Sequence, residues 1–429
     1  MLMLLTAPVM AGSGSPTPHV AHCSLTGLAE WDPARTLDEW AASLVCVLDN
    51  VSSPPHSSAA YEPTMNSTGW DTFDVVVLAA GCQQNASIGC QSGAASAGFL
   101  EGLLSAHRIS DHLYNILAHG RFLRMDHSAV NESAPEWRRL VEYEAKQEAW
   151  LLSQVANAPS DPQRSVLATL FAQQAGIAAG LARSGASLYG LSPWRAAVTV
   201  NLMAEMGDVL DHLFPSRRVQ WFDEGLSLVE RSKATLKREH CSAFVALASY
   251  NEDLYVGHNM WWQFYAMMPV LKTVTWQALP GLGARRVQMT SFPGALSSID
   301  DFYSLPSPRQ RLVVMETTNP IRNTSLFDAL HPSSIWCWMR VMSANLLAES
   351  ATEWVRFFSR HNSGTYNNMW LVVDYKAFTP RTPLASGVLT IAEQVMPWVR
   401  LRVRTRVRVR ARARARVRVR VSRAGDSLG

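Results

Sequence analysis

Apolar positions change their rhythm near the middle of the chain. Before residue 240 they recur every three or four residues over 99–117, 135–157 and 196–213, the spacing of one helical face. Ser133-Ala134-Pro135-Glu136 is a capping box with an early proline and opens the helix that runs to about Asn157. After residue 240 the apolar residues form runs of strand length at 241–248, 254–262, 311–317, 369–375 and 387–392. The first two runs flank Ser249-Tyr250-Asn251-Glu252-Asp253, a turn-rich break, and so predict a β-hairpin. Ser333 or Ser334 caps a long helix to about Arg360, whose Trp338, Met342, Leu346, Trp354, Phe357 and Phe358 suit a layer packed on a sheet. Residues 12–19 and 50–68 are rich in Ser, Pro and Thr and read as surface linkers. The region before Cys241 therefore reads as helices and loops, and the region after it as strands with helices outside.

Composition changes this picture mainly at the end of the chain. With 429 residues and 48% hydrophobic content, a large core is expected. From Arg400 to Val421 arginine alternates almost strictly with Val, Ala, Leu or Thr. A strand of that kind carries a ladder of like charges on one face, which is destabilising. Residues 400–429 thus read as a low-complexity tail, extended and detached from a body that ends near 395. The tail also hides the charge of the body. Setting aside the 12 arginines of 400–423 and Asp426 leaves 27 basic and 34 acidic residues, so the net charge of +4 becomes −7. An acidic body argues against a nucleic-acid partner, although a basic arm alone would favour one.

Most cofactor signatures are absent. There is no Cys-x-x-Cys, no His-Glu-x-x-His and no P-loop, and no metal or cofactor is expected. Gly281-Leu282-Gly283 lacks the third glycine of a dinucleotide loop and reads as a turn after Pro280. Gly185-Ala186-Ser187-Leu188-Tyr189-Gly190 places its second glycine one residue late for a nucleophile elbow. Residues 1–11 form a short apolar run that reads as a clipped signal peptide, too short to span a bilayer, and no other run is long and apolar enough. Five Asn-x-Ser/Thr acceptors, at Asn50, Asn66, Asn85, Asn131 and Asn323, favour secretory passage. Cys82 and Cys90 flank one of them at a spacing that suits a local disulfide loop. Cys23, Cys46 and Cys337 have no evident partner.

Six segments in order carry a stronger signal. They are Cys241-Ser242-Ala243, Asp253-Leu254-Tyr255-Val256-Gly257-His258-Asn259-Met260-Trp261, Ser291-Phe292-Pro293-Gly294 running on to Ile299-Asp300-Asp301-Phe302-Tyr303, Glu316-Thr317-Thr318, residues 362–368, and Val373-Asp374-Tyr375-Lys376-Ala377-Phe378. This ordered set resembles the phospholipase B-like family, most closely a lysosomal member of it. Ala97-Gly98-Phe99-Leu100-Glu101-Gly102 and Met206-Gly207-Asp208-Val209-Leu210-Asp211 echo the family more weakly, and past about Val395 the likeness stops.

The resemblance implies an α+β fold, an αββα sandwich of the N-terminal nucleophile hydrolase type, whose last part lies beyond this chain. It divides one hydrolase domain into an N-terminal portion, 20–240, and a nucleophile-bearing portion, 241–395. The precursor would cut itself between His240 and Cys241, and the two fragments would stay associated. Cysteine suits that position because a thiolate is the strongest natural nucleophile near neutral pH, and cutting frees an α-amine on the same residue as a base. By itself a cysteine heading an apolar strand is a small buried hydrophobe. By resemblance His258 and Trp261 face the thiol, which requires a bulge or twist near Asn259 because strict alternation puts them on opposite faces. Thr318 matches a hydroxyl used in self-cleavage. Asn367 or Asn368 supplies an amide to the developing oxyanion, with Asn367 taken first. Adjacent Asp300 and Asp301 read as loop-end capping groups. The implied activity is removal of acyl groups from phospholipids, or cleavage of a related amide, in the lysosome or outside the cell. The alternative is a glycoprotein of the same fold without turnover.

Overall fold

The computed structural model describes residues 19–26, 37–48, 55–79, 90–119, 125–126, 129–157, 161–221, 225, 227, 229–230, 241–260, 266–395 and 398–404. The fold is α+β. Four strands come from before Cys241: β1 (His19–Thr26), β2 (Val45–Leu48), β3 (Ser57–Glu62) and β4 (Asp71–Val77). A small hairpin follows, β5 (Met125–Asp126) with β6 (Ala129–Val130), and then the hairpin of β7 (Cys241–Leu247) and β8 (Leu254–Met260). The later strands are β9 (Val270–Leu279), β10 (Gly283–Ser291), β11 (Phe302–Leu305), β12 (Leu312–Thr318), β13 (Asn368–Asp374), β14 (Leu389–Val395) and β15 (Trp398–Arg404).

The first four and last seven strands form one eleven-stranded sheet in the order β15-β14-β13-β12-β11-β10-β9-β4-β3-β1-β2. Every pairing is antiparallel except β4 with β9, which run parallel over Asp71–Val77 and Val270–Trp276. That seam joins the portions of the chain before and after Cys241 into one hydrogen-bonded sheet.

Strands β12 to β14 are covered on both faces, which explains their near-unbroken apolar runs. Val314, Trp370 and Val372 point to a large core beneath the helices. Val313, Met315, Leu371 and Val373 point to a second core closed by Ala243, Val245, Leu247 and Val256 of the β7–β8 hairpin. Trp354 and Phe358 stack at 4.9 Å and meet Trp370 at 5.4 and 5.1 Å, pinning a helix to β13.

The helices are α1 (Leu37–Ser43), α2 (Met65–Thr68), α3 (Gln91–Leu104), α4 (Ala106–His119), α5 (Pro135–Asn157), α6 (Pro162–Ser184), α7 (Pro193–Asn201), α8 (Met206–Leu213), α9 (Cys337–Leu347) and α10 (Ala351–Phe358). Helix α5 matches its expected span. The helices expected over 99–117 and 196–213 are each two, α3 with α4 and α7 with α8. The long helix expected to Arg360 also breaks in two. At Ser350 the hydroxyl accepts from the Glu353 amide at 3.2 Å, and Glu353 accepts from the Glu349 amide at 3.0 Å. This capping box starts α10 afresh. Helix α9 begins after Trp336 rather than at Ser333 or Ser334, and the Glu205 carboxylate accepts from the Trp338 amide at 3.2 Å.

Several further expectations are corrected. Residues 50–68 are not all linker, because β3 lies within them, and residues 12–18 fall outside the described residues. Of the four N-terminal strands, β2 was masked by its length of four residues and β3 by the small residues Ser57-Ser58-Ala59-Ala60, while β4 alternates as a half-buried strand does and was passed over. Strands β9 and β10 were masked by internal charges. Lys272 is buried against Glu101 and donates to the Ala295 carbonyl at 2.7 Å, while buried Arg285 donates to Glu349 at 2.8 Å. The turn after Pro280 is present, with Gly281 and Gly283 at φ +71° and +73°. A disulfide joins Cys23 to Cys46, which the sequence left without partners. Cys90 is disulfide-bonded, while Cys82 lies outside the described residues. The beginning of the arginine-rich stretch is not detached, since β15 pairs with β14 from Val395↔Trp398 to Leu389↔Arg404. Residues 405–429 lie outside the described residues. One helix, α6, is long and apolar enough to cross a membrane, contrary to expectation, and most of it is buried inside the protein.

Helices α3 and α6 approach so closely that only glycine fits at their crossing. A Cβ on Gly98 would lie 1.9 Å from the Gln173 carbonyl oxygen, and one on Gly176 would lie 2.0 Å from that of Ala95. Gly176→Ala is therefore expected to destabilise the fold by about 1–3 kcal/mol, the range for overpacking a tight interior. Chemical denaturation of the two proteins checks this; an unchanged midpoint would contradict the close crossing.

Candidate active site

The hairpin carries Cys241 at the first position of β7 and His258 on β8. The register Cys241↔Met260 and Ala243↔His258 runs without a bulge, so Cys241 and His258 share the face turned toward the sheet. The deviation expected near Asn259 does not occur over the described residues, and Trp261 and His240 lie outside them.

Beneath the hairpin the sheet has a notch. Strand β11 pairs with β12 only as far as Phe302↔Met315, so Glu316, Thr317 and Thr318 have no β11 partner. The chain turns away at Asp301, where φ is +48°. Cys241, His258 and Glu316 converge at this notch, with one donor atom from each lying within 4.8 Å of the other two. Glu316 is fully buried, and neither of its oxygens meets a described donor with hydrogen-bond geometry. His258 is almost fully buried; its Nδ1 lies 3.6 Å from the Asp300 carboxylate, and its Nε2 has no described partner.

The electrostatics follow from packing acids into a dry site. Burial raises the Glu316 carboxyl to about 7, with the Cys241 thiol and His258 opposing that rise. Burial and the neighbouring Glu316 carboxylate raise Asp301 well above the usual carboxylate range, although it accepts a short hydrogen bond from the Tyr366 hydroxyl. Burial, then Glu316 and Asp301, push the Cys241 thiol far up. The sulfur is therefore a neutral thiol, and ionising it requires a proton acceptor within reach. The Glu316 carboxylate stands there.

Cross-strand pairing settles which amide shares the Glu316 face. Glu316 pairs with Trp370 and Thr318 with Asn368, so these four side chains share the face that Val314 and Val372 turn to the helices, opposite the one the hairpin covers. The Glu316 carboxyl reaches Cys241 through the notch where β11 ends. Thr318 Oγ1 and both side-chain polar atoms of Asn368 are buried without described partners. Asn367 instead donates its amide to the Gly364 carbonyl at 2.7 Å, leaving only its oxygen unpartnered.

Sequence reasoning missed Glu316, Tyr366 and both aspartates as site groups. A carboxyl directly after the apolar run Leu312-Val313-Val314-Met315 was the available signal for Glu316. Asp300 and Asp301 are not loop-end caps; one flanks His258 and the other is buried against Tyr366. Among the acceptor asparagines, Asn66, Asn131 and Asn323 are exposed, while Asn50 and Asn85 lie outside the described residues.

A buried thiol set among an imidazole, carboxylates and unpaired amide and hydroxyl groups has the makings of an acyl-transfer site on an α+β fold. Comparison with known proteins defines it further. The family model described as Phospholipase B matches residues 57–409, beyond the point near Val395 where the resemblance was expected to stop. The chain is 31% identical over 346 residues to phospholipase-B 81 of Drysdalia coronoides, covering 78% of this chain and 58% of that protein. It is 30% identical over 349 residues to phospholipase B-like 1 of Bos taurus, covering 79% and 58%. With phospholipase B-like protein B of Dictyostelium discoideum it shares 28% identity over 308 residues, covering 71% and 51%. The chain belongs to the phospholipase B family, and its matches span little more than half the length of these relatives.

The raised Glu316 carboxyl has a thermodynamic consequence. A folded value near 7 against an unfolded value of 4.5 favours the protonated native state, so stability present below pH 4.5 is lost as pH rises through 7. Glu316→Gln removes this dependence. In chelator-treated buffer the variant is expected to gain about 2–3 kcal/mol over the parent between pH 4.5 and pH 8, following the linkage of shift to stability. Denaturation midpoints at both pH values check it, and an equal pH slope for both proteins would contradict the buried carboxyl.

Proposed function

We propose that this protein is a phospholipase B-like hydrolase that removes acyl groups from phospholipids, or cuts a related amide, through Cys241 freed as an N-terminal nucleophile. The observation that carries the reading is the convergence of the Cys241 thiol, His258 and Glu316 at the sheet notch. In the uncut chain the thiol passes its proton to Glu316, and the sulfur attacks the His240 carbonyl carbon. The His240–Cys241 amide bond breaks, its nitrogen leaves as the protonated α-amine, and a thioester to sulfur forms. Water then hydrolyses that thioester, releasing the carboxyl-terminated 20–240 portion and a free thiol.

The freed amine serves as the base for the substrate reaction. The thiol attacks an acyl carbonyl, the alcohol or amine leaves with a proton, and water resolves the acyl-enzyme. Asn368, with an unpaired buried amide on the Glu316 face, donates to the oxyanion, and this reading prefers it to Asn367. Thr318 offers a hydroxyl on the same face; Trp261 is taken as a pocket-wall residue on the family resemblance alone, since it lies outside the described residues. The seam of β4 with β9 would hold the two fragments together after cutting. The parts belong to an αββα sandwich in which the β7–β8 hairpin starts the second sheet. Exposed Asn66, Asn131 and Asn323 suit glycosylation in the secretory pathway, and the destination is the lysosome or the exterior.

N-terminal sequencing of purified protein tests the cut. A fragment beginning Cys241-Ser242-Ala243 is expected, absent in Cys241→Ala and formed slowly in Cys241→Ser; a chain that stays whole under all conditions would refute the mechanism. Asn368→Ala is expected to lower kcat about 10²–10³-fold with little change in KM, the loss seen on removing one oxyanion donor. An equal loss in Asn367→Ala, with Asn368→Ala unaffected, would reverse the assignment.

A further inference from the structure

We propose that Cys241, His258 and Glu316 of the uncut chain bind a zinc ion, and that the bound metal holds the protein in its uncut form. The metal site requires only the geometry of the uncut chain, while the hold on cutting rests on the self-cleavage of the hydrolase reading.

Three observations carry it. The three side chains present sulfur, nitrogen and oxygen donors within 4.8 Å of one another, a set that zinc accepts. Zinc bonds of about 2.0–2.3 Å at tetrahedral angles put such donors roughly 3.5 Å apart, so they need to close by only about an ångström. The donors are held by nothing outside the cluster. Glu316 is fully buried and turns only to the Cys241 thiol and Asp301, and the buried Nε2 of His258 has no described partner. Finally, the Asp300 carboxylate lies 3.6 Å from the other ring nitrogen, Nδ1. A carboxylate behind a histidine is the arrangement that orients a metal-binding imidazole.

Charge points the same way. Asp300, Asp301 and Glu316 surround the thiol, and the causes that shift it include all three. A dication offsets that crowding better than a proton does. Binding exchanges the thiol proton for the metal, releases that proton to solvent and leaves a fourth position for water. A metal-held sulfur has its lone pair committed, so it does not attack the His240 carbonyl until the ion leaves.

Cobalt(II) supplies a visible probe, since a thiolate ligand gives it an intense near-ultraviolet charge-transfer band. The full chain, isolated uncut with zinc bound and stripped by brief chelation immediately before titration, is expected to take up one equivalent of cobalt with that band, and zinc to displace it. Cys241→Ser should abolish the band. Cys337→Ser, which removes the other free thiol among the described residues, should keep it. His258→Asn and Glu316→Gln should each weaken zinc binding about tenfold or more. Stoichiometric zinc should stop the appearance of the Cys241 N-terminus, and chelator should restore it. A band that is absent, or that survives Cys241→Ser, overturns the metal site. A chain that binds cobalt as described yet stays uncut in chelator upholds the site and refutes self-cleavage instead.

Discussion

A carboxyl buried against a thiol, with no described donor to balance it, constrains everything around it. Leaving a polar group unpaired in a dry interior costs about 1–3 kcal/mol, so its surroundings must be held by stronger packing elsewhere. Here that packing is the part of the sheet at β12 to β14, covered on both faces. Helices close one side through Trp354, Phe358 and Trp370, and the β7–β8 hairpin closes the other through Val245, Leu247 and Val256. Between them the early end of β11 opens the notch where Glu316 meets Cys241. A longer β11 would fill that space with backbone, and the thiol would face only apolar side chains.

One sheet is built from both ends of the chain, joined at the parallel seam of β4 with β9. The close crossing of α3 with α6 adds tight packing among the helices. Buried Lys272 reinforces the seam by reaching from β9 to Glu101 on α3.

Legibility in the sequence tracked how directly each residue showed its surroundings. The hairpin, the strands at β12 and β13 and helix α5 were readable, because apolar runs and a capping box are local signals. Strands β2 and β3 were not, since a four-residue strand or one of Ser and Ala lacks a pattern until a sheet pairs it, whereas the alternation in β4 was a signal passed over. Strands β9 and β10 were obscured by Lys272 and Arg285, whose partners Glu101 and Glu349 are far away in sequence. At the site, Cys241 and His258 were found through ordered motifs. Glu316 was quoted within one of those motifs but given no role, because only the register shows that it shares a face with Thr318 and Asn368. The arginine-rich stretch misled in the other direction. Its first residues pair with β14, because a backbone ladder can form where composition argues against a strand.

Mass spectrometry of the protein after brief exposure to phospholipid and rapid acid quenching tests the central claim most directly. The account predicts a fatty-acyl mass on the fragment that begins at Cys241, labile to hydroxylamine as a thioester and absent in Cys241→Ser. Lipid turnover with no acyl mass on that fragment, or with the acyl group on another residue, would contradict it.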